Sequence, residues 1–155
     1  MSTLADKRIL MVCLGNICRS PLAEGIMQMY INKYGLNWEV DSAGTSGFHN
    51  GELPDRRSIA VAQQHQIDIT HQRSRQIVNK DLEDFDHIIA MDSSNYQDIL
   101  SLPSGSKHKD KVELLLNFSQ PGFNKAVPDP YYEGGFLGVY NMIVDAVEAF
   151  IAQHK

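Results

Sequence analysis

The sequence predicts an α/β fold, a single three-layer domain in which helices cover both faces of a four-stranded parallel sheet. Short apolar runs alternate with stretches of helical spacing along the chain, which is the pattern of repeated β-α-β units. The first run, Ile9–Val12, is continuously apolar, as expected of a strand buried on both faces. The 155 residues, 43% of them hydrophobic, suffice for one core. This alternation gives right-handed connections, and with the first strand taken as central the predicted strand order is 2-1-3-4.

The first strand leads through the loop Val12–Pro21 into an amphipathic helix. Pro21 suits the first helical position, where its missing N–H costs nothing, and Ser20 is predicted to cap the helix. Gly35 can adopt the left-handed conformation that ends it. The apolar residues that predict this helix recur at three- and four-residue spacing: Leu22, Ile26, Tyr30 and Tyr34.

The later elements follow in the same alternation. Trp38–Ser42 alternates between apolar and polar residues, as a half-exposed edge strand does. Asp92 follows a buried strand and is predicted to cap the next helix, which runs to about residue 102. The remaining predicted elements are a helix over 55–66, a short helical piece over 73–78, strands over 87–91 and 112–116, and a long C-terminal helix from 136.

The loop after the first strand has the chemistry of an anion site that contains a nucleophile. The first N–H groups of a helix carry about half a positive charge, which stabilises an anion and lowers the pKa of a nearby thiol such as Cys13. Gly15 permits close backbone approach, Asn16 tolerates a left-handed turn, and the guanidinium of Arg19 can bind phosphate oxygens in pairs. The predicted phosphate-binding loop comprises Leu14, Gly15, Asn16, Ile17, Cys18 and Ser20.

These residues resemble the signature loop of the low-molecular-weight protein tyrosine phosphatases. Further motifs fall where the later motifs of that family would, and the resemblance covers almost the whole chain. They are Asp41–Thr45, His71 before Arg73 and Arg75, Ala90–Asp92 and Pro128–Tyr132. The resemblance implies a phosphatase that forms a phosphocysteine on Cys13.

The resemblance also implies residues that support the loop and select the substrate. A hydrogen-bond network of Asn16, Ser20, Ser42 and His71 would brace the loop, and Asp92 would support the site in addition to capping its helix. The segment over 43–54 would help to choose the substrate. Its aromatic residues Phe48 and His49 are expected at the rim of a pocket, although Phe48 is equally suited to anchor the segment inward.

A second motif, Pro128–Tyr132, supplies a group that the loop lacks. Two prolines hold Asp129 in an extended segment. Cleavage of a phosphate ester by a thiolate requires a proton for the departing oxygen, and Asp129 is the best candidate donor. Tyr131 and Tyr132 would form aromatic walls around a flat substrate ring. Asp129 would later act as base for the attacking water, while Ser20 helps the thiolate of Cys13 to leave.

Composition limits the partners and the compartment. A net charge of −5 argues against binding of nucleic acid, and no apolar run approaches the roughly 20 residues that span a membrane. With no signal peptide evident, we expect a cytoplasmic monomer that acts on tyrosine-phosphorylated proteins and releases inorganic phosphate, which other oxyanions can mimic. The six histidines show no metal-ligand spacing, so no metal or cofactor is expected.

The two cysteines lie in the same loop, which favours a reactive role over a structural disulfide. If Cys13 is oxidised to a sulfenic acid, Cys18 could capture it reversibly. The alternative is that Cys18 only packs beneath the loop.

Two other functions fit parts of the pattern. An arsenate reductase of the thiol-loop type would need further cysteines downstream, and none follows Cys18. A non-catalytic phosphate-binding or carrier module would keep phosphate on Cys13 without needing Asp129. The presence of both Arg19 and Asp129 argues against the second alternative.

Overall fold

The predicted strands form one parallel sheet in the order 2-1-3-4, counted along the chain, which confirms the predicted fold class and strand order. A computed structural model describes residues 4–133 and 135–155, with the backbone alone at 132 and 133. The strands are β1 (Lys7–Cys13), β2 (Trp38–Gly44), β3 (His87–Ala90) and β4 (Val112–Leu114).

Helices connect the strands and close the domain. They are α1 (Arg19–Tyr34), α2 (Arg56–Gln63), α3 (Asp81–Asp84), α4 (Ser93–Leu100), α5 (Pro130–Glu133) and α6 (Phe136–His154). The two longest, α1 and α6, pack against each other on one side of the sheet together with α2, and α3 and α4 lie on the other. A 3-10 turn stands on each side of β4, at Lys109–Lys111 and Leu115–Asn117.

The central strand divides the core in two because successive side chains of a strand point to opposite faces. Ile9 and Met11 belong to the core beneath α1 and α6, while Leu10 and Val12 belong to the core beneath α3 and α4. All four side chains are completely buried. A strand with both faces buried holds its carboxyl end rigidly, and Cys13 is the last residue of β1.

The short helix predicted over 73–78 is wrong, because that segment is extended. The N–H of Gly44 donates to the carbonyl of Arg75 at 2.8 Å, and the N–H of Ile77 donates to the carbonyl of Gly44 at 2.8 Å. These bonds extend the edge of β2, and they engage backbone groups that a helix would have needed for itself. The predicted helix over 55–66 is present as Arg56–Gln63.

One described helix, α6, is long and apolar enough to cross a membrane, contrary to the sequence-based expectation. It has 19 residues, with a mean hydropathy of 1.3. Its residues Val139, Ile143, Val147 and Phe150 are nevertheless buried in the core shared with α1. The packing of a core helix therefore accounts for its apolar composition.

Candidate active site

The loop between β1 and α1 places Cys13 close to the beginning of the helix. The structure contradicts the prediction that Ser20 caps α1, because the helix begins at Arg19 and Cys18 is the N-cap, with no side-chain capping bond. Ser20 is instead the second helical residue, and its Oγ lies 3.0 Å from Cys13 Sγ. Its hydroxyl is engaged with the thiol rather than with the helix terminus.

Cys13 is held at the bottom of the loop and is only 3% exposed. The backbone N–H of Asn16 donates to Cys13 Sγ at 3.3 Å. Together with the contact to Ser20, this gives the sulfur two polar neighbours on its own loop. Both groups can donate a hydrogen bond to the sulfur, which holds it in place at the bottom of the loop.

Asn16 locks the loop in a left-handed conformation, with a φ of 57°. Its buried side-chain amide donates to Ser20 Oγ at 2.8 Å and to Ser42 Oγ at 3.0 Å. Its carbonyl oxygen accepts from the backbone N–H of Arg75 at 3.0 Å. These bonds fix the orientation of the Asn16 amide. They also tie the loop to Ser42 on β2 and to the extended segment over 73–78.

The prediction that His71 belongs to this network is wrong. Ser42 Oγ donates its single hydrogen to Glu24 Oε1 at 2.7 Å, and His71 is exposed on a turn. Within the part of the chain that the structure describes, no hydrogen bond joins His71 to Asn16, Ser20 or Ser42. Burial, reinforced by the nearby charge of Asp41, raises the pKa of Glu24 from an ordinary 4.5 to about 7.

Arg19 is 3% exposed and is surrounded by acceptors. Its Nη1 donates to Asp92 Oδ2 at 2.7 Å and to the carbonyl of Val127 at 3.0 Å. Its Nη2 lies 3.6 Å from Asp129 Oδ2. Burial opposes the charged form of Arg19, but Cys13, Asp92 and Asp129 outweigh that effect and raise its pKa above the usual value. The guanidinium therefore stays positive in a fixed orientation.

Asp92 has two partners, one for each oxygen. Its Oδ1 accepts from the N–H of Asn95 at 2.8 Å, which confirms the predicted cap of α4. Its Oδ2 binds Arg19, so the same carboxylate also holds the guanidinium. Because the bond from Asn95 holds Oδ1, the other oxygen, Oδ2, is directed toward Arg19.

A cavity of about 400 Å³ brings Cys13, Arg19 and Asp129 together. Asp129 lies just before α5, and its Oδ1 accepts from the N–H of Tyr131 at 3.1 Å. Its side chain is 29% exposed, so it can exchange protons with solvent. A nucleophile, a fixed cation and a carboxyl group therefore share one cleft.

Aromatic side chains form one wall of the cavity. The rings of Phe48 and His49 meet edge to face at 4.9 Å, and His49 lies 6.3 Å from the ring of Tyr131. Phe48 is 84% exposed, which places it at the rim and not as an inward anchor. The other predicted wall residue, Tyr132, has a side chain that lies outside the described residues.

Cys18 lies beneath the same loop and is 4% exposed. Burial raises its pKa to about 12, and the charges of Asp55, Cys13 and Asp129 add to the effect. Both cysteines are free. At neutral pH Cys18 is therefore a thiol and does not compete with Cys13 as a nucleophile.

The sequence analysis did not predict two contributions to the support of the loop: the backbone after Gly44 and the side chain of Glu24. The N–H groups of Thr45 and Ser46 donate to the carbonyls of Cys13 and Leu14, both at 2.9 Å. Gly44 allows this contact, because a Cβ there would lie 2.7 Å from the carbonyl oxygen of Leu14. The position of a glycine at the end of an edge strand was the available signal for this contact. The second missed group is the carboxylate of Glu24, which accepts from Ser42. The sequence gives no signal for it, since Glu24 is a charged residue within a helix.

The described residues contain no group of three His, Cys, Asp or Glu side chains that could hold a metal ion. The polar groups of the cavity are instead arranged around Cys13. This arrangement fits displacement at an anionic centre by a thiolate, with charge stabilisation from a guanidinium and proton transfer by a carboxyl group.

Comparison with known proteins points to one family. The family model described as low molecular weight phosphotyrosine protein phosphatase matches residues 8–155. The chain is 41% identical to the low molecular weight phosphotyrosine protein phosphatase of Schizosaccharomyces pombe, over 93% of this chain and 94% of that one. It is 39% identical to the human protein of the same name, over 97% and 98% of the two chains. A crystal structure of a protein tyrosine phosphatase from Entamoeba histolytica, with Hepes in its active site, superposes with a TM-score of 0.88 at 37% identity and 96% coverage of both chains.

Proposed function

Because the chain belongs to the low molecular weight phosphotyrosine protein phosphatase family and is a protein tyrosine phosphatase, we propose that it forms a phosphocysteine on Cys13. Arg19 binds the phosphoryl group and Asp129 transfers the protons. One observation carries this assignment, which is the convergence of these three side chains in a single cavity.

In the first step, the thiolate of Cys13 attacks phosphorus and the phosphorus–oxygen bond to the tyrosine ring breaks. Arg19 and the loop N–H groups hold the three remaining oxygens while charge redistributes among them. Asp129, in its protonated form, gives its proton to the departing phenolate oxygen. The products of this step are a free tyrosine side chain and the phosphocysteine.

In the second step, water attacks phosphorus and the phosphorus–sulfur bond breaks. Asp129 is now ionised and takes a proton from the water, while Ser20 donates a hydrogen bond to the departing sulfur of Cys13. Inorganic phosphate is released, and the starting protonation states are restored. The two steps together need no reactant besides the phosphate ester, water and the enzyme's own side chains.

The aromatic wall supports an aryl phosphate as the substrate, and tyrosine-phosphorylated proteins are the proposed partners. Stacking against His49 and Tyr131 would stabilise a tyrosine ring by about 1 kcal/mol, which a serine side chain cannot gain. Inorganic phosphate and similar oxyanions would bind the same loop as competitive inhibitors. A monomer in the cytoplasm fits the free thiols, and the Entamoeba enzyme crystallised with one molecule in the asymmetric unit.

The two alternatives have less support. An arsenate reductase of the thiol-loop type would need a further cysteine to relay electrons, and the only cysteine besides Cys13 is Cys18. A phosphate carrier would have no use for Asp129, which lies 3.6 Å from Arg19 in the same cavity.

The test is hydrolysis of a phosphotyrosine peptide and of the matching phosphoserine peptide in the presence of a metal chelator. We expect the wild type to prefer phosphotyrosine, Cys13→Ser to be inactive and Asp129→Asn to lose most of its activity. If the wild type releases phosphate from neither peptide, the proposal fails. If Asp129→Asn retains full activity, the role of Asp129 fails while the rest stands.

A further inference from the structure

A chain of hydrogen bonds runs from Glu24, one turn after Ser20 on α1, to the sulfur of Cys13. Glu24 Oε1 accepts from Ser42 Oγ at 2.7 Å, and Ser42 Oγ accepts from Asn16 Nδ2 at 3.0 Å. Asn16 Nδ2 also donates to Ser20 Oγ at 2.8 Å, and Ser20 Oγ lies 3.0 Å from Cys13 Sγ. The proposed function uses the last members of this chain and gives no role to the first.

The donors and acceptors of this chain can be assigned by counting hydrogens. An ionised Glu24 can only accept, so the one hydrogen of Ser42 points to it. Asn16 Nδ2 has two hydrogens and gives one to each serine. Ser20 therefore accepts from Asn16, which leaves the hydrogen of its own hydroxyl free to point to Cys13.

The amide of Asn16 cannot reverse this order by turning over. Its oxygen is held by the backbone N–H of Arg75 at 3.0 Å, so its nitrogen must face the two serines. Ser42 is the adjustable member, because its hydroxyl can rotate when Glu24 no longer accepts. The charge on Glu24 thus decides where the hydrogen of Ser42 points and how strongly Ser42 attracts the amide.

We propose that Glu24 is a positioning residue for the phosphatase reaction, which orients the chain Ser42–Asn16–Ser20 so that Ser20 donates to the sulfur of Cys13. This inference rests on the proposed function and adds a residue to it. Ser20 would act chiefly in the second step, when Cys13 departs as a thiolate, so the loss of Glu24 lowers kcat and KM together and leaves kcat/KM nearly unchanged.

Glu24 is placed to titrate near neutral pH. Burial raises its pKa to about 7, Asp41 adds to the rise, and Arg75 opposes it. Asp68 and His71, on the turn that faces α1, line the same small cavity as Glu24. The chain of hydrogen bonds from Glu24 to Cys13 is therefore fully oriented only when the pH is above the pKa of Glu24.

The experiment compares Glu24→Gln, Ser42→Ala and the double variant with the wild type. We expect Glu24→Gln to lower kcat for an aryl phosphate about tenfold, as for one hydrogen bond to a charged group, with kcat/KM changed less than about twofold. The same substitution should have no effect in the Ser42→Ala background, because the chain is already broken there. Glu39→Gln is the matched control: it lies on β2 like Ser42, but its exposed carboxylate pairs with Arg8.

A second readout does not depend on turnover. The ultraviolet absorbance of the thiolate, taken as the difference from Cys13→Ser, reports the ionisation of Cys13 across the pH range. In the wild type this titration should carry an inflection near the pKa of Glu24, and Glu24→Gln should remove it. Equal kcat and unchanged titrations in Glu24→Gln would overturn the inference while leaving the phosphatase assignment intact. A wild type that hydrolyses no aryl phosphate would overturn both.

Discussion

A methyl group at Gly44 tests how precisely the phosphate-binding loop must be placed. Gly44 ends β2 with its backbone against the loop, and a Cβ there would lie 2.7 Å from the carbonyl oxygen of Leu14 and 3.1 Å from the N–H nitrogen of Asn16. Both neighbours are backbone atoms, which have no side-chain rotation to relieve the contact. Reaching an ordinary contact of 3.4 Å requires a shift of about 0.7 Å in the loop or the strand.

We therefore expect Gly44→Ala to lower kcat/KM by roughly 10- to 100-fold, because a displacement of about 1 Å at a reacting centre costs about a hundredfold. Overpacking of this kind also destabilises a fold by about 1–3 kcal/mol. Inhibition by inorganic phosphate should weaken in parallel, since the displaced N–H groups are those that bind it. Steady-state hydrolysis of an aryl phosphate and urea unfolding measure the two effects separately.

Gly25→Ala is the matched control for this prediction. A Cβ at Gly25 would lie 2.6 Å from Ile69 Cγ2, equally close but against a side chain and on the part of α1 away from the loop. It should change stability while leaving kcat/KM within about twofold, because the loop is not displaced. If Gly44→Ala also retains its kcat/KM and phosphate affinity, the loop does not need the placement described here.

Three further predictions follow from the polar groups of the fold. Asp92→Asn should lower kcat/KM roughly tenfold or more in steady-state assays, because the guanidinium of Arg19 loses its 2.7 Å partner; asparagine caps a helix as well as aspartate, so unchanged helicity by circular dichroism is the control. Iodoacetamide at neutral pH should label Cys13 and spare Cys18, whose pKa is raised to about 12, and peptide mass spectrometry that finds Cys18 labelled first would contradict this assignment. Burial lowers the pKa of His87 from 6.5 to about 4. The unfolded chain therefore binds this proton at a higher pH than the folded protein does, and the free energy of unfolding should fall as the pH decreases from 6.5 to about 4. In urea unfolding, the free energy of unfolding of His87→Gln should depend less steeply on pH than that of the wild type, and equal slopes would refute the assignment.

The sheet and its order were predictable because the signals were local. A continuously apolar strand such as Ile9–Val12 and the helical spacing after Pro21 each depend on a few neighbouring residues, and short right-handed connections leave few ways to assemble them. The convergence of Arg19 and Asp129 was expected from the reaction's need for a proton donor and from the family resemblance, although the two residues are far apart in the chain. The cap at Asp92 was predicted from its position after a strand.

The errors concern residues whose role depends on a contact that forms only in the folded chain. Ser20 has the residue type of a helix cap, but the neighbouring sulfur of Cys13 engages its hydroxyl. The segment over 73–78 has helical composition, and pairing with the end of β2 makes it extended. His71 was assigned to the network because it matched a motif position. The hydroxyl of Ser42 instead donates to the carboxylate of Glu24, which lies one turn after Ser20 on α1. No local pattern in the sequence specifies such contacts.

Transfer of the phosphoryl group to Cys13 can be observed by trapping the phosphocysteine intermediate. Asp129→Asn removes the base of the second step, so an aryl phosphate with a good leaving group should still phosphorylate Cys13 while hydrolysis of the phosphocysteine slows. Rapid quenching followed by peptide mass spectrometry should then find the phosphoryl group on the peptide that contains Cys13, and none in Cys13→Ser. Turnover without any covalent intermediate, or with the phosphoryl group on another residue, would show that Cys13 is not the nucleophile.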